Sequence, residues 1–253
     1  MCAIPEEIGE TLKNLENLSE INYGDLKIFS GEWRKNKDIS LKIYVSVAWS
    51  GWGKVSAART ATRILGSKYK GIPIDMLLFT GVAGSAKSML KQWDIVIPNQ
   101  LVQHDMDARP IFDKYIIPAL KKAKISVPNE WIDWAENSLK EALMNKELSH
   151  FGDVKVGLIG TGDKFISDSS FLESLVKDLP DLYAVEMEGA AVAQVCTQES
   201  VPFLICRVIS DNADGSAAQN FTDFIEDYKS FSWELIKSLI TRLNISPILL
   251  KNK

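Results

Sequence analysis

Two carboxylates sit inside an apolar run, AVEMEGAAVAQVC (184–196), where Glu186 and Glu188 flank Met187. A carboxylate taken out of water is costly unless it is paired, hydrogen-bonded or protonated. Residues two apart on a strand share a face, so both acids can line one pocket. Equally, they can end a strand in solvent or cap the helix that follows. A third acid, Asp211, closes the apolar run VPFLICRVISD (201–211), directly after Ser210 and four residues beyond Arg207. It suits either a ligand edge or an Asx cap after the strand. Clustered acids are the residue type for proton transfer, provided that the fold brings them together.

The surrounding pattern says which elements must do so. ISLKIYVSVAW (39–49), DMLLFTG (75–81), WDIVIP (93–98), VKVGLIGTGD (154–163), YAVEME (183–188) and VPFLICRVISD read as buried strands. Helix-forming runs separate several of them: SGWGKVSAARTATRIL after the first, GAAVAQVCTQ after the fifth, and a long amphipathic FTDFIEDYKSFSWELIKSLITRL at the end. Apolar strands alternating with helices predict a mainly parallel sheet covered on both faces. Ligands of such sheets bind at the carboxyl ends of the strands. The polar residues there are Ser50 to Gly53, Thr80 to Gly84, Thr161 to Asp163, Glu186 to Glu188, Arg207, Ser210 and Asp211. SGWG and GVAG fall short of any dinucleotide or Walker fingerprint, and no lysine-bearing phosphate loop appears among these turns. The stretch from His104 to Asn129 is the least regular, as a lid or an interface segment often is.

Composition narrows the class. The chain has 253 residues, 46% of them apolar and 25% charged, as in an ordinary globular protein. A net charge of −4 argues against a nucleic-acid protein held by phosphate contacts, but not against a small nucleoside. Cys2, Cys196 and Cys206 lack metal-ligand spacing and read as buried free thiols of a reducing compartment. With only His104 and His150 available, no metal site is expected. No signal peptide and no membrane-spanning run are seen, so a cytoplasmic location is expected.

Taken together, AVEMEGAAVAQVC, VPFLICRVISDNAD and NFTDF resemble the signature of the 5′-methylthioadenosine/S-adenosylhomocysteine nucleosidases, within the purine nucleoside phosphorylase-like superfamily. SGWGKVSAA is similar to that family's Ser-Gly-x-Gly-Lys-Val turn, TGVAG to its Thr-Gly-x-Ala-Gly turn, and GTGDKFI to its Ser-Gly-Asp-x-Phe-Ile segment. The match is collinear from Ala3 to the final helix. It implies one three-layer α/β/α domain over 1–253, with a central mixed, mainly parallel sheet. It also implies a homodimer that hydrolyses the N-glycosidic bond of an adenine nucleoside without a cofactor. By this resemblance Asp211 is the acid that protonates N7 of the purine, and Glu7 positions the attacking water with Arg207 near it. Glu188 binds the ribose 2′- and 3′-hydroxyls with Met187 beside the sugar, Phe165 stacks on adenine, and the backbone of Ile166 reads the base edge. Glu186 supports the site or the fold.

Departures from the family pattern concern the edges of this site. The chain starts at MCAIPEEI, where the family has an apolar strand before its acidic turn, so that strand is expected to be clipped or replaced. Val82 stands for a family serine, Trp52 for a small or aliphatic turn residue, and 103–129 reads differently from relatives. An entrance so altered suits 6-amino-6-deoxyfutalosine, with its bulky aromatic 5′ group, as well as methylthioadenosine or S-adenosylhomocysteine. Two rivals are a purine nucleoside phosphorylase and a non-catalytic nucleoside-binding protein. Phosphate would meet Glu6 and Glu7 in the first turn, and a binding protein would be expected to lack Glu188 or Asp211. Trp131 and Trp134, three apart on one helix face, read either as a dimer surface or as core.

Overall fold

β-Branched and apolar runs become strands, and the runs between them cross back as helices. The structure, a computed structural model, describes residues 1–34 and 42–243. Two short 3-10 turns, Pro5–Ile8 and Thr11–Asn14, lead into β1 (Glu16–Tyr23), β2 (Leu26–Arg34) and β3 (Lys42–Val47), an antiparallel meander. There follow α1 (Lys54–Leu65), β4 (Leu77–Ser85), β5 (Ile95–Gln103), β6 (Lys124–Ser126) and α2 (Asn129–Met144). The chain continues through β7 (Val154–Thr161), α3 (Ser169–Asp178), β8 (Leu182–Glu186), α4 (Gly189–Gln198), β9 (Phe203–Asp211) and α5 (Ala217–Ile240).

The larger sheet runs β6-β5-β7-β8-β4-β9. Its β4–β9, β5–β7 and β7–β8 pairs are parallel, while β5–β6 and the short β4–β8 contact are antiparallel. The sheet curls until β9 also meets β5, pairing Ile95 with Val208 and Val96 with Arg207. Every residue of β9 is buried, which is why its sequence is an unbroken apolar run instead of an alternating one. Helices α4 and α5 pack on it, α4 also on β5 and β7, and α5 also against α2. The expected α/β architecture with a mixed, mainly parallel sheet is present.

Several local expectations need correction. The predicted strand at 75–81 does not end at GVAG but continues through Ser85, because those residues pair with β9 and β8. The YAVEME strand stops at Glu186, and Glu188 is the residue before helix α4. The hairpin β1–β2 had no clear signal, since the side chains of β1 are nearly all exposed and carry no core pattern. Trp131 and Trp134 are buried, edge to face with centroids 5.7 Å apart, so they are core and offer no dimer surface. The first residues of the predicted 39–49 strand, 39–41, lie outside the described residues. Met1–Ala3 supply a single parallel rung: Cys2 bridges Trp49 while Met1 bonds to β4. The three cysteines are free and buried. Among the described residues no helix is long and apolar enough to cross a membrane.

Candidate active site

The carboxyl ends of β4, β7, β8 and β9 open onto one cleft, with the Pro5–Ile8 turn closing its side. Lining it are Glu7, Trp52, Val82, Phe165, Ile166, Glu186, Met187, Glu188, Ser210 and Asp211, a gathering of nearly all the residues singled out by sequence. Arg207 does not line it. Fully buried behind the acids, Arg207 Nη2 donates to Glu186 Oε2 and, at 3.1 Å, to Glu188 Oε2, and its guanidinium lies over the Phe79 ring at 4.3 Å. Burial alone would lower its pKa, but Glu186, Glu188 and Glu7 more than offset that and raise it. Three carboxylates therefore share one cation, and the cleft keeps an acidic excess.

Glu186 is held hardest. It accepts from Thr161 Oγ1, from Arg207, and from the amides of Glu188 (3.1 Å) and Gly189 (2.7 Å) at the start of α4. These bonds close the strand-to-helix turn and aim Glu188 at the cleft. A helix N-terminus favours a carboxylate there. Glu188 Oε1 accepts the Gly53 amide at 2.9 Å, where α1 begins. The adjacent Lys54 amide is taken by Asp163 at 2.7 Å. Gly53 has φ 91°, and a Cβ there would press on Asp163, so this turn needs its glycine. Burial pushes the Glu188 carboxyl up, partly countered by Arg207.

Glu7 is 2% exposed and saturated by backbone donors: Ala3 N at 2.8 Å, Ile4 N at 3.2 Å and Val82 N at 2.9 Å. Burial raises its pKa, while Arg207 and these amides lower it. A Cβ at Gly81 would overlap both Arg207 Nη1 and Glu7 Oε1, so glycine here is a matter of close approach. Asp211 is 6% exposed; its Oδ1 accepts Ala213 N and its Oδ2 accepts Ser210 Oγ, each at 2.7 Å. Desolvation dominates its balance and raises its pKa, which favours the protonated form.

An aromatic group forms the mouth. Trp52, 52% exposed, meets Phe221 edge to face at 5.9 Å, and Phe165 meets Phe221 at the same distance. They border a cavity of about 70 Å³, smaller than the roughly 300–1,000 Å³ of small-molecule sites. The sequence points to Gly53 and Thr161 only as strand-end residues without a role, and to Phe221 only as part of a motif. Phe221 lies in NFTDF and Gly53 in SGWG, so both motifs held the signal. Thr161 touches Glu186, a contact that only the packed structure displays. Among the described residues no cluster of metal-binding side chains occurs.

Residues 1–241 match the family model described as the phosphorylase superfamily. The chain is 33% identical over 245 residues to the 5′-methylthioadenosine/S-adenosylhomocysteine nucleosidase of Anoxybacillus flavithermus, covering 96% of this chain and 97% of that protein. Among solved structures, futalosine hydrolase of Helicobacter pylori superposes with a TM-score of 0.80 at 33% identity, covering 96% of each chain. The Neisseria meningitidis 5′-methylthioadenosine/S-adenosylhomocysteine nucleosidase, in complex with methylthio-immucillin-A, gives 0.80 at 28% identity, covering 95% of this chain and 96% of that one.

Proposed function

The chain belongs to the phosphorylase superfamily, and from that membership we propose that it uses Asp211, Glu188 and Glu7 to hydrolyse an adenine nucleoside. The reaction breaks the N-glycosidic bond with water and releases adenine, as the names of its nucleosidase and futalosine hydrolase relatives imply. Breaking that bond builds an oxocarbenium-like sugar and pushes an electron pair onto the base. Asp211, kept protonated to higher pH by burial, delivers its proton to N7 and neutralises the leaving group. Glu188 accepts the ribose hydroxyls. With Glu186 and Glu7 around one arginine, it makes the cleft favourable to a cationic sugar. Glu7 draws a proton from the attacking water.

The observation that carries hydrolysis over phosphorolysis is the bonding of Glu7. The amides of Ala3, Ile4 and Val82 form a ready anion cradle, and the Glu7 carboxylate already fills it. A phosphate dianion would lose those donors and face a buried acid. Adenine release from 5′-methylthioadenosine, followed with and without phosphate, tests this. Equal rates are expected, and a strict phosphate requirement would overturn the reading.

Trp52 and Phe221 at the mouth favour a second reading of the 5′ group: an aryl-bearing nucleoside such as 6-amino-6-deoxyfutalosine stacks there at least as well as a methylthio group. We further read the enzyme as a cytoplasmic homodimer. Its thiols are free and buried, and Ile111 (82% exposed) and Val55 (81% exposed) leave apolar surface on 103–129 and on α1.

A further inference from the structure

The N-terminus of α1 gives two successive amides to two different strand ends. Gly53 N donates to Glu188 Oε1 at 2.9 Å, and Lys54 N donates to Asp163 Oδ1 at 2.7 Å. Asp163 starts the segment that carries Phe165 and Ile166 into the cleft. A third acid closes these contacts into a circuit. Asp105, just past β5, accepts Asp163 N on Oδ2 at 2.9 Å and Lys54 Nζ on Oδ1 at 2.6 Å. Lys54 Nζ also reaches Gln103 Oε1 at 3.4 Å, and Gln103 Nε2 donates to Gln194 Oε1 on α4 at 2.7 Å. Asp105 is itself held to the end of β7. The amide of His104 donates to Thr161 O at 2.9 Å, and the buried His104 imidazole lies where a Cβ on Gly162 would stand. Burial pushes the Asp105 carboxyl up, but Lys54 and the Asp163 amide outweigh it and hold the group below its ordinary value. Lys54, Asp105 and Asp163 all stand outside the lining of the cleft.

We propose that Lys54, Asp105 and Asp163 are positioning residues that set the register between the sugar half and the base half of the cleft. This rests on the nucleoside reading above, in which Glu188 takes the ribose and Phe165 the adenine. Glu188 takes its aim in part from Gly53, and the Phe165 segment is pinned one residue further along the same helix start. The two halves therefore share one anchor, and the Lys54–Asp105 pair keeps that anchor from sliding. Every member is held twice: Lys54 by its amide and its ammonium, Asp163 by its carboxylate and its amide, Asp105 by both oxygens. Little of this is stability. The Lys54 and Asp105 side chains are 18% and 33% exposed, and ion pairs open to water contribute little. What a closed circuit supplies is orientation, since a misplacement of about 1 Å at a reacting centre can cost on the order of 10²-fold in rate.

The experiment compares the parent with Asp105→Ala, Lys54→Met and the double variant, using two probes. One is free adenine; the other is an adenine C-nucleoside with a 5′-methylthio group, whose carbon–carbon bond to the sugar water cannot cleave. Adenine alone can follow its own segment, whereas the joined nucleoside must meet both halves at once. Asp105→Ala is expected to weaken the C-nucleoside by roughly 10–100-fold and adenine by less than about 3-fold, with Tm lowered by no more than about 4 °C. Lys54→Met should match it, and the double variant should lose no more than the larger single loss, because one circuit opens only once. With no ligand present, hydrogen exchange at the Lys54 and Asp163 amides should quicken in Asp105→Ala while Val154–Thr161 stays protected. Equal weakening of both probes, additive losses in the double variant, or unchanged exchange at those two amides would each overturn the proposal. A parent that binds neither probe would overturn it together with the nucleoside reading. A parent that binds both yet releases no adenine from 5′-methylthioadenosine would refute hydrolysis alone, and the binding ratio would still decide the register.

Discussion

Asp211→Asn separates the proton delivery proposed for this side chain from the contacts it makes in the structure. In the structure Oδ1 accepts the Ala213 amide, and asparagine keeps that oxygen. Oδ2 accepts from Ser210 Oγ, and an amide nitrogen there would donate to the same hydroxyl, whose own proton can turn to Ala83 O at 3.3 Å. Both local contacts survive, so the site keeps its shape while adenine must leave without a proton on N7. The expected loss in kcat is about 10²–10⁴-fold, equal to roughly 2.7–5.5 kcal/mol of barrier. KM should move far less, because Glu188 and Phe165 are untouched. The pH dependence has a definite sign. Burial raises the folded pKa of Asp211, so the acid form, and with it kcat/KM, is lost as pH rises through that value; the variant should lose that alkaline limb. Stability runs the same way: a raised carboxylate contributes stability that is full below its unfolded pKa and lost as pH rises through the folded one. Asparagine carries no such penalty, so at neutral pH its Tm should equal or exceed that of the parent. The assay is adenine release from 5′-methylthioadenosine, set beside a nitrophenyl riboside whose leaving group needs no N7 proton. Equal losses on both substrates, or a Tm well below the parent's, would refute the reasoning and make Asp211 a structural residue.

Other tests address the supports of the site. Arg207→Met leaves Glu186 and Glu188 buried without their cation, so a destabilisation of about 3–5 kcal/mol is expected, read as a Tm drop of roughly 6–20 °C. For the 5′ group, kcat/KM on 6-amino-6-deoxyfutalosine should at least match that on methylthioadenosine, and Trp52→Ala should reduce the ratio; a hundredfold preference for methylthioadenosine in the parent, about 2.7 kcal/mol, would sink the aryl reading. Sedimentation should show a dimer at micromolar concentration, and monomer alone would count against the pairing.

Motifs carried the site further than they carried the fold around it. VEMEGAA and RVISDNAD name the acids, and their places at the ends of β8 and β9 follow from apolar runs that can only be buried strands. Local pattern failed where pairing overrules it. GVAG looks like a turn because of its glycines, yet β9 and β8 hold it in the sheet, and Gly81 serves close packing against Arg207 and Glu7. Trp131 and Trp134 could have been surface or core, and only the packing of α2 decides.

The residue types were thus determined by the sequence: Glu186 and Asp211 end strands, Glu188 precedes α4, Glu7 sits in the first turn and Arg207 lies within β9. Their electrical states were not. Whether Glu188 lines a pocket or merely caps a helix depends on Gly53, 135 residues away in the chain, and on an arginine that reaches both glutamates from behind. Whether Glu7 is a solvated acid or a buried base depends on amides from two separate segments. Desolvation and charge coupling are properties of distance in space, and a linear pattern of residues holds no such distances until the chain has packed.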